Sequence, residues 1–400
     1  MQKVVLPNGL TVIFEYKPGA SVVVEVMLKV GSDQEQAAER GIAHFLEHLL
    51  FEGTQKRPSN WQISNEIEKI GGDFNAYTTN ERTCFYVKVL KKHFIKAVEV
   101  LADIVQHSLF KEEHISKEKN IVLKEIDMVF DDPKFYQWVI LQKNLFVKHP
   151  CRHPTFGDKA VIRGLTRQKI ISFFQKYYVP SNMVISVVGD VVGWKAAINR
   201  NFTMNGAGRR TLQQLLEPVA KKNKIVKERK NIVNTYTVLG FKTVPRSHAD
   251  SYALEVINGI LGRGQSGRMF TEIRSKFGLA YDVGTQCVLE ASFGYFAIYA
   301  TIDRKNWVLV RELIVQELQK LQHITVNDLR EAQEYIEGDY LLGMEDTQKV
   351  ADQLLFWEQV KDATLVNNYI HRIQKVTMAD VQRVAQKYFQ HYTGVILAGK

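Results

Sequence analysis

The stretch from Thr166 to Asp190 reads TRQKIISFFQKYYVPSNMVISVVGD, and that from Thr377 to Lys400 reads TMADVQRVAQKYFQHYTGVILAGK. Each opens on a threonine placed to cap a helix, runs as an amphipathic helix through a Lys-Tyr pair, and closes in a short apolar strand that reaches glycine. Tyr177 and Tyr388 lie 211 positions apart, and Ile115-Ser116 and Ile324-Thr325, each opening a charged helix, lie 209 apart. A period of about half the chain describes a duplicated unit.

Working outward, each half reads as strands, helices, a return hairpin, more helices and a final strand. This order predicts an α+β fold of two homologous domains, each a mainly antiparallel sheet backed by helices. In the first half Ser21 to Val30 is strand-like, Gly41 to Phe51 and Ile63 to Ile70 are helix-like, Gly71-Gly72 breaks the chain, and Asp73 to Leu90 is extended. Nothing of the Ser, Thr, Asp or Asn type stands directly before Gly41 to cap its helix. In the second half Thr235 to Lys242 is a strand and Ala249 to Leu261 a helix. A Gly-rich turn at Gly262 to Gly267, a helix to about Phe277 and a hairpin from Tyr281 to Ile302 follow. Residues 209–230 hold eight Lys or Arg against two Glu and no aromatic, which reads as an exposed connector. The expected domains are therefore 1–205 and 231–400, joined by a basic linker at 206–230.

The 400 residues are 45% hydrophobic and 24% charged, a globular balance, and no apolar run reaches the roughly 18 to 20 residues of a membrane helix. No membrane partner is expected. Strand-like alternation begins at Val4, close behind Met1, so no targeting peptide is expected either, and the cytoplasm is the expected compartment. Cys84, Cys151 and Cys287 are odd in number and far apart, which argues against a disulfide framework and against a thiolate metal cluster. A net charge of +10 raises the question of nucleic acid, but no element combines clustered basic residues with aromatics, so that partner is not expected.

The chemistry concentrates in Gly41-Ile-Ala-His44-Phe-Leu-Glu47-His48-Leu-Leu-Phe-Glu-Gly-Thr54. At roughly 100° per residue, two histidines four apart stand about 40° apart on one helical face, close enough to share an ion. Neutral imidazole is a good zinc donor, and two His with one carboxylate form a catalytic set that keeps one position for water. Glu47 lies beside His48 and three residues from His44, where a carboxylate can accept a proton from that water. The surrounding residues are apolar, and burying unpaired polar groups among them would be costly. A metal resolves that conflict.

With this HxxEH motif the sequence resembles, over essentially its whole length, the pitrilysin, insulysin and mitochondrial processing peptidase family. The resemblance implies a clamshell of the two domains and one Zn2+ per chain, with Glu125 as third ligand, since 76 residues separate it from His48 as in the family. It also implies that Glu118 orients a ligand or assists the base. Gly71-Gly-Asp-Phe-Asn75-Ala76-Tyr-Thr78 resembles the family's edge strand, onto which a peptide is added near Asn75 and Ala76. Arg274 and Tyr281 reproduce an Arg-x6-Tyr pair that reaches the substrate carbonyl from the second domain. Gly262 to Phe270 resembles the glycine-rich turn of small bacterial members, with Arg263 and Gly267 in place of a usual Gly and Ser.

The repeat-equivalent stretch Glu255 to Gly259 reads EVING and has no histidine, so only the first half can hold the metal. The reading that follows is a zinc endopeptidase acting on short or unfolded peptides, paired as a homodimer or with a related subunit. The alternative is a catalytically silent, peptide-binding scaffold subunit. Silent members of the family usually lose a ligand or the base, whereas His44, Glu47, His48 and Glu125 are all present.

Overall fold

The computed structural model describes residues 1–206, 215 and 217–399, and it divides into two compact units. Eleven strands carry them: β1 Gln2–Val5, β2 Thr11–Glu15, β3 Ser21–Leu28, β4 Asp73–Thr78, β5 Thr83–Leu90, β6 Met183–Gly189, β7 Lys224–Lys230, β8 Thr235–Lys242, β9 Ala280–Leu289, β10 Gly294–Ile302 and β11 Thr393–Gly399. The first sheet runs β1-β2-β6-β3-β5-β4 and the second β7-β11-β8-β10-β9. Without β1 the two orders superpose strand for strand. Both are antiparallel except where β6 meets β2 and β11 meets β7, so even the odd parallel pair is duplicated. The fold is the expected α+β pair of mainly antiparallel sheets.

The opening stretches form as their residues dictate. Thr166 accepts from Lys169 N and starts the helix Arg167–Tyr177, and Thr377 accepts from Asp380 N and starts Met378–Tyr388. Their apolar faces pack inward, and the strands that follow, β6 and β11, are buried interior strands of their sheets.

The units depart from the expected boundaries in two ways. The stretch 206–230 is not a connector throughout. Its first part, 207–214 and 216, lies outside the described residues, but Lys224–Lys230 is β7, parallel to β11. Exposed and half-buried positions alternate along β7 from Ile225, and as an edge strand it carries charged residues at both, which is why it reads as basic linker. The second departure is an exchange of helices. Unit 1 comprises Met1–Asp127, His153–Gln213 and Gly343–Val366, and unit 2 comprises Met128–Arg152, Gln214–Leu342 and Asn367–Lys400.

In unit 2 the helix Pro133–Leu145, from the first half of the sequence, lies on β8 and β11. Ile140, Leu141 and Leu145 join Val238, Ala297, Val395 and Leu397 in its core. The approach is close enough that a Cβ on Gly240 would stand 2.6 Å from Leu141 Cδ1, so glycine is required there. In unit 1 the helix Thr347–Val360, from the second half, lies on β6 and β3. It brings Asp352 to the Tyr77 hydroxyl and Asp346 to Lys88 Nζ at 2.6 Å. No helix among the described residues is long and apolar enough to cross a membrane.

Under that helix Glu25 is fully buried in the middle of β3. Burial, and then the charge of Asp352, push its carboxyl well above the glutamate range against the pull of Arg82. A carboxyl whose folded pKa is raised binds a proton that the unfolded chain has lost, so stability falls as pH rises above the ordinary value of 4.5. Glu25→Gln keeps the shape and removes this titration. It should raise the melting temperature, and by more at about pH 8 than at about pH 5. Melts that gain equally at both values would show that Glu25 is not held neutral.

Candidate metal centre

The helix Ile42–Leu50 buries Ile42, Ala43, Phe45, Leu46, Leu49 and Leu50, leaving His44, Glu47 and His48 half-buried on one stripe. Its missing cap comes from a distance. Glu35, six residues before Gly41, accepts hydrogen bonds from Gly41 N at 2.8 Å and Ala43 N at 2.9 Å. Its carboxyl oxygens satisfy two free donors of the helix start, and burial pushes that carboxyl well above the glutamate range against the pull of these two bonds. Gly41 has φ of 93°, and a Cβ would stand 2.6 Å from Phe156 O, so the helix can start so abruptly only from glycine.

A second helix, Glu112–Asp131, presents Ile115, Glu118, Val122 and Ile126 to the interior, with Glu125 beside them. Glu118 and Glu125 are seven residues apart and so share a face. Glu125 Oε1 lies 3.5 Å from His44 Nε2, and Glu125 Oε2 lies 3.5 Å from His48 Nε2. His48 Nδ1 and Glu118 Oε2 are 3.1 Å apart, and Glu118 is buried. Donor atoms of His44, His48 and Glu125 all fall within 4.8 Å of one another, the one such group among the described residues.

The electrostatics favour a cation. Burial opposes charge on His48, but hydrogen bonds to Glu118 and Glu125 and the charges of Glu125 and Glu47 outweigh it, pushing the ring up to about 10. Hydrogen bonds from His44 and His48 hold the Glu125 carboxyl well below the usual carboxylate range. Two imidazole nitrogens and one carboxylate oxygen, converging from two rigid helices, fit Zn2+ by both donor chemistry and net charge.

Glu47, on the same turn, accepts from Thr78 Oγ1 at 2.6 Å. Tyr178 is buried, and burial together with the Glu47 charge pushes its hydroxyl above the tyrosine range. Asn75 and Ala76 lie in β4, the terminal strand of its sheet, and Ala76 N–H donates to Asn75 Oδ1 at 2.8 Å. Arg274 and Tyr281 belong to unit 2, where Arg274 sits in the π-helical turn Phe270–Lys276 and Tyr281 near the start of β9. The Arg274 guanidinium lies 5.6 Å from the Tyr281 ring centroid, and Tyr281 is 76% exposed, so the pair stands together at a surface. On the unit 2 counterpart of the motif helix, Asp250–Gly262, Glu255 instead pairs with buried Arg246 at 2.5 Å and accepts from Tyr369 Oη at 3.2 Å. An internal ion pair occupies the place where unit 1 gathers its ligands.

Residues 11–159 match the model of the insulinase family, peptidase family M16, and residues 164–336 match that of the M16 inactive domain. A protein named as an uncharacterized zinc protease of Rickettsia felis is 31% identical over 405 residues, covering 98% of this chain and 96% of its own. The chain belongs to the M16 peptidase family. A zinc protease of Streptomyces coelicolor, also named as uncharacterized, is 32% identical over 402 residues, covering 96% of this M16 chain and 86% of its own. In fold, a protease from Helicobacter pylori aligns with a TM-score of 0.94 over 99% of both chains at 24% identity.

Sequence reasoning missed two partners of the M16 site. Glu35 escaped because capping rules look one residue upstream, not six. Thr78 was quoted only as part of the edge strand, although the alternation of β4 turns it and Tyr77 to opposite faces. Because His48 is held protonated up to about 10, a metal that needs its lone pair must displace a proton. Zinc affinity should therefore rise with pH from about 6.5 towards about 10, with proton release on binding. Competition titrations against a chromophoric chelator measure it, and an affinity flat across that range would show that His48 is not held protonated there.

Proposed function

We propose that this chain is a zinc endopeptidase that hydrolyses short or unfolded peptides. The observation carrying the reading is the convergence of His44, His48 and Glu125 with the Glu47 carboxylate on the same helical turn. Held by those three residues, a zinc ion would supply Lewis-acid polarisation and make a water molecule nucleophilic at neutral pH.

The remaining chemistry belongs to the side chains. Glu118 accepts from His48 Nδ1 and so keeps the Nε2 lone pair available as a ligand. Glu47 takes the proton of the attacking water and delivers it to the departing amine as the peptide bond breaks. An extended peptide joins the free edge of β4, where Asn75 and Ala76 offer backbone hydrogen bonds, which favours chains without stable structure of their own. Arg274 and Tyr281 donate to the scissile carbonyl as its oxygen gains negative charge.

Glu47→Gln preserves volume but cannot take the proton, so it should abolish most cleavage of a fluorogenic peptide while zinc content stays at the parent level. His48→Ala and Glu125→Ala should lower the zinc content itself. Full turnover by the Gln variant would end the assignment of the base.

Tyr281→Phe tests the second pair. Deleting one oxyanion donor typically costs about 10²-fold to 10³-fold in rate, and the exposed ring position makes loss of the hydroxyl alone harmless to folding. Parent activity in a zinc-loaded Phe variant would leave Tyr281 without a role in catalysis.

A further inference from the structure

Strand β4 is held from both faces by consecutive residues. Because side chains alternate along a strand, Phe74, Ala76 and Thr78 point to one face of the sheet and Asp73, Asn75 and Tyr77 to the other. On the second face the Tyr77 hydroxyl donates to Asp352 of the helix Thr347–Val360, and the Arg82 guanidinium lies 5.9 Å from the Tyr77 ring centroid. On the first face Phe74 packs against Phe51, just past the motif helix, with ring centroids 5.5 Å apart, and Thr78 Oγ1 reaches Glu47 Oε2 at 2.6 Å. A hydrogen bond of that length to a carboxylate belongs to the strong, charge-assisted kind.

The Thr78 hydroxyl has one proton and two acceptors in reach, Glu47 Oε2 at 2.6 Å and Oγ1 of Thr83, its partner in the β4–β5 register, at 3.5 Å. The charged and much nearer carboxylate takes it. Thr83 gives its own proton to Val30 O at 3.0 Å. A glutamate side chain turns about three bonds, and Glu47 shares its stripe of the helix with His44 and His48. One oxygen tied to a rigid strand leaves the other oriented for a proton in flight.

We propose that Thr78 is the positioning residue of Glu47, and that β4 sets the alignment of the base through it while its free edge holds the peptide. This rests on the reading of Glu47 as the proton acceptor. A peptide that extends the β4 ladder then braces the strand that aims the carboxylate, so binding and proton transfer share one structural element.

Thr78→Val keeps the shape and β-branching and deletes only the hydroxyl, and Thr78→Ser restores the hydroxyl. With a fluorogenic peptide, Thr78→Val should lower kcat by about 10-fold to 100-fold, with KM and zinc content at parent values. Thr78→Ser should recover most of that loss. A Val variant at the parent kcat overturns the proposal, as does a loss confined to KM or one that Ser fails to rescue. An activity-independent measurement separates this from the parent reading: the crystal structure of Thr78→Val should show the Glu47 carboxylate turned from its position in the unsubstituted protein. An unmoved carboxylate overturns the positioning role. A parent protein that cleaves no peptide with zinc bound overturns the peptidase reading and leaves the crystallographic arm to decide this one.

Discussion

Two imidazoles and a carboxylate cannot be folded against an apolar core without a partner for their charge, and the unit 1 site is arranged around that constraint. His44 and His48 occupy the only polar stripe of a short helix that otherwise packs inward, and Glu125 reaches them from a second helix. Each helix is fixed by its own means. The motif helix begins on a glycine in a left-handed conformation and is capped by Glu35, and Glu118 is buried two turns before Glu125 on the second helix. Converging carboxylates then make the cluster a place where positive charge is stabilised. The proton on His48 is one expression of it, and a divalent cation would be a stronger one.

How much of this was legible in the sequence depended on the range of the interaction. The repeat was readable because the helix-strand pairs ending in β6 and β11 carry their own caps and periodicity, so each local pattern agrees with the fold. The pairing of His44, Glu47 and His48 was readable for the same reason, since helical geometry alone brings them to one face. Glu125, Glu118, Asn75, Ala76, Arg274 and Tyr281 were not derivable that way. No local rule joins residues so far apart, and they came from resemblance. The structure draws Glu118 and Glu125 to His48 and sets Arg274 against Tyr281.

What the pattern did not reveal is which sheet a helix covers. An apolar face predicts burial without naming the surface that buries it, and the helices Pro133–Leu145 and Thr347–Val360 each lie on the sheet built from the other half of the sequence. Strand β7 was hidden for a related reason. Its charged residues fall on exposed and half-buried positions alike, and within a run of lysines and arginines only the pairing with β11 distinguishes a strand from a solvated connector.

The exchange of helices bears on the site through β4. A sheet edge left bare on both faces would be a loosely held strand, poorly suited to aim a catalytic side chain. Here the face away from the motif helix is covered by residues contributed more than two hundred positions later, through Asp352 on Tyr77 and, on the neighbouring β5, Asp346 on Lys88. The strand that carries Thr78 is thus held from that face, while β4 remains the terminal strand of its sheet among the described residues. A duplicated fold whose two halves lent nothing to each other could place the ligands of unit 1 equally well. It would lack the Asp352 contact that holds β4, and with it the support beneath Thr78.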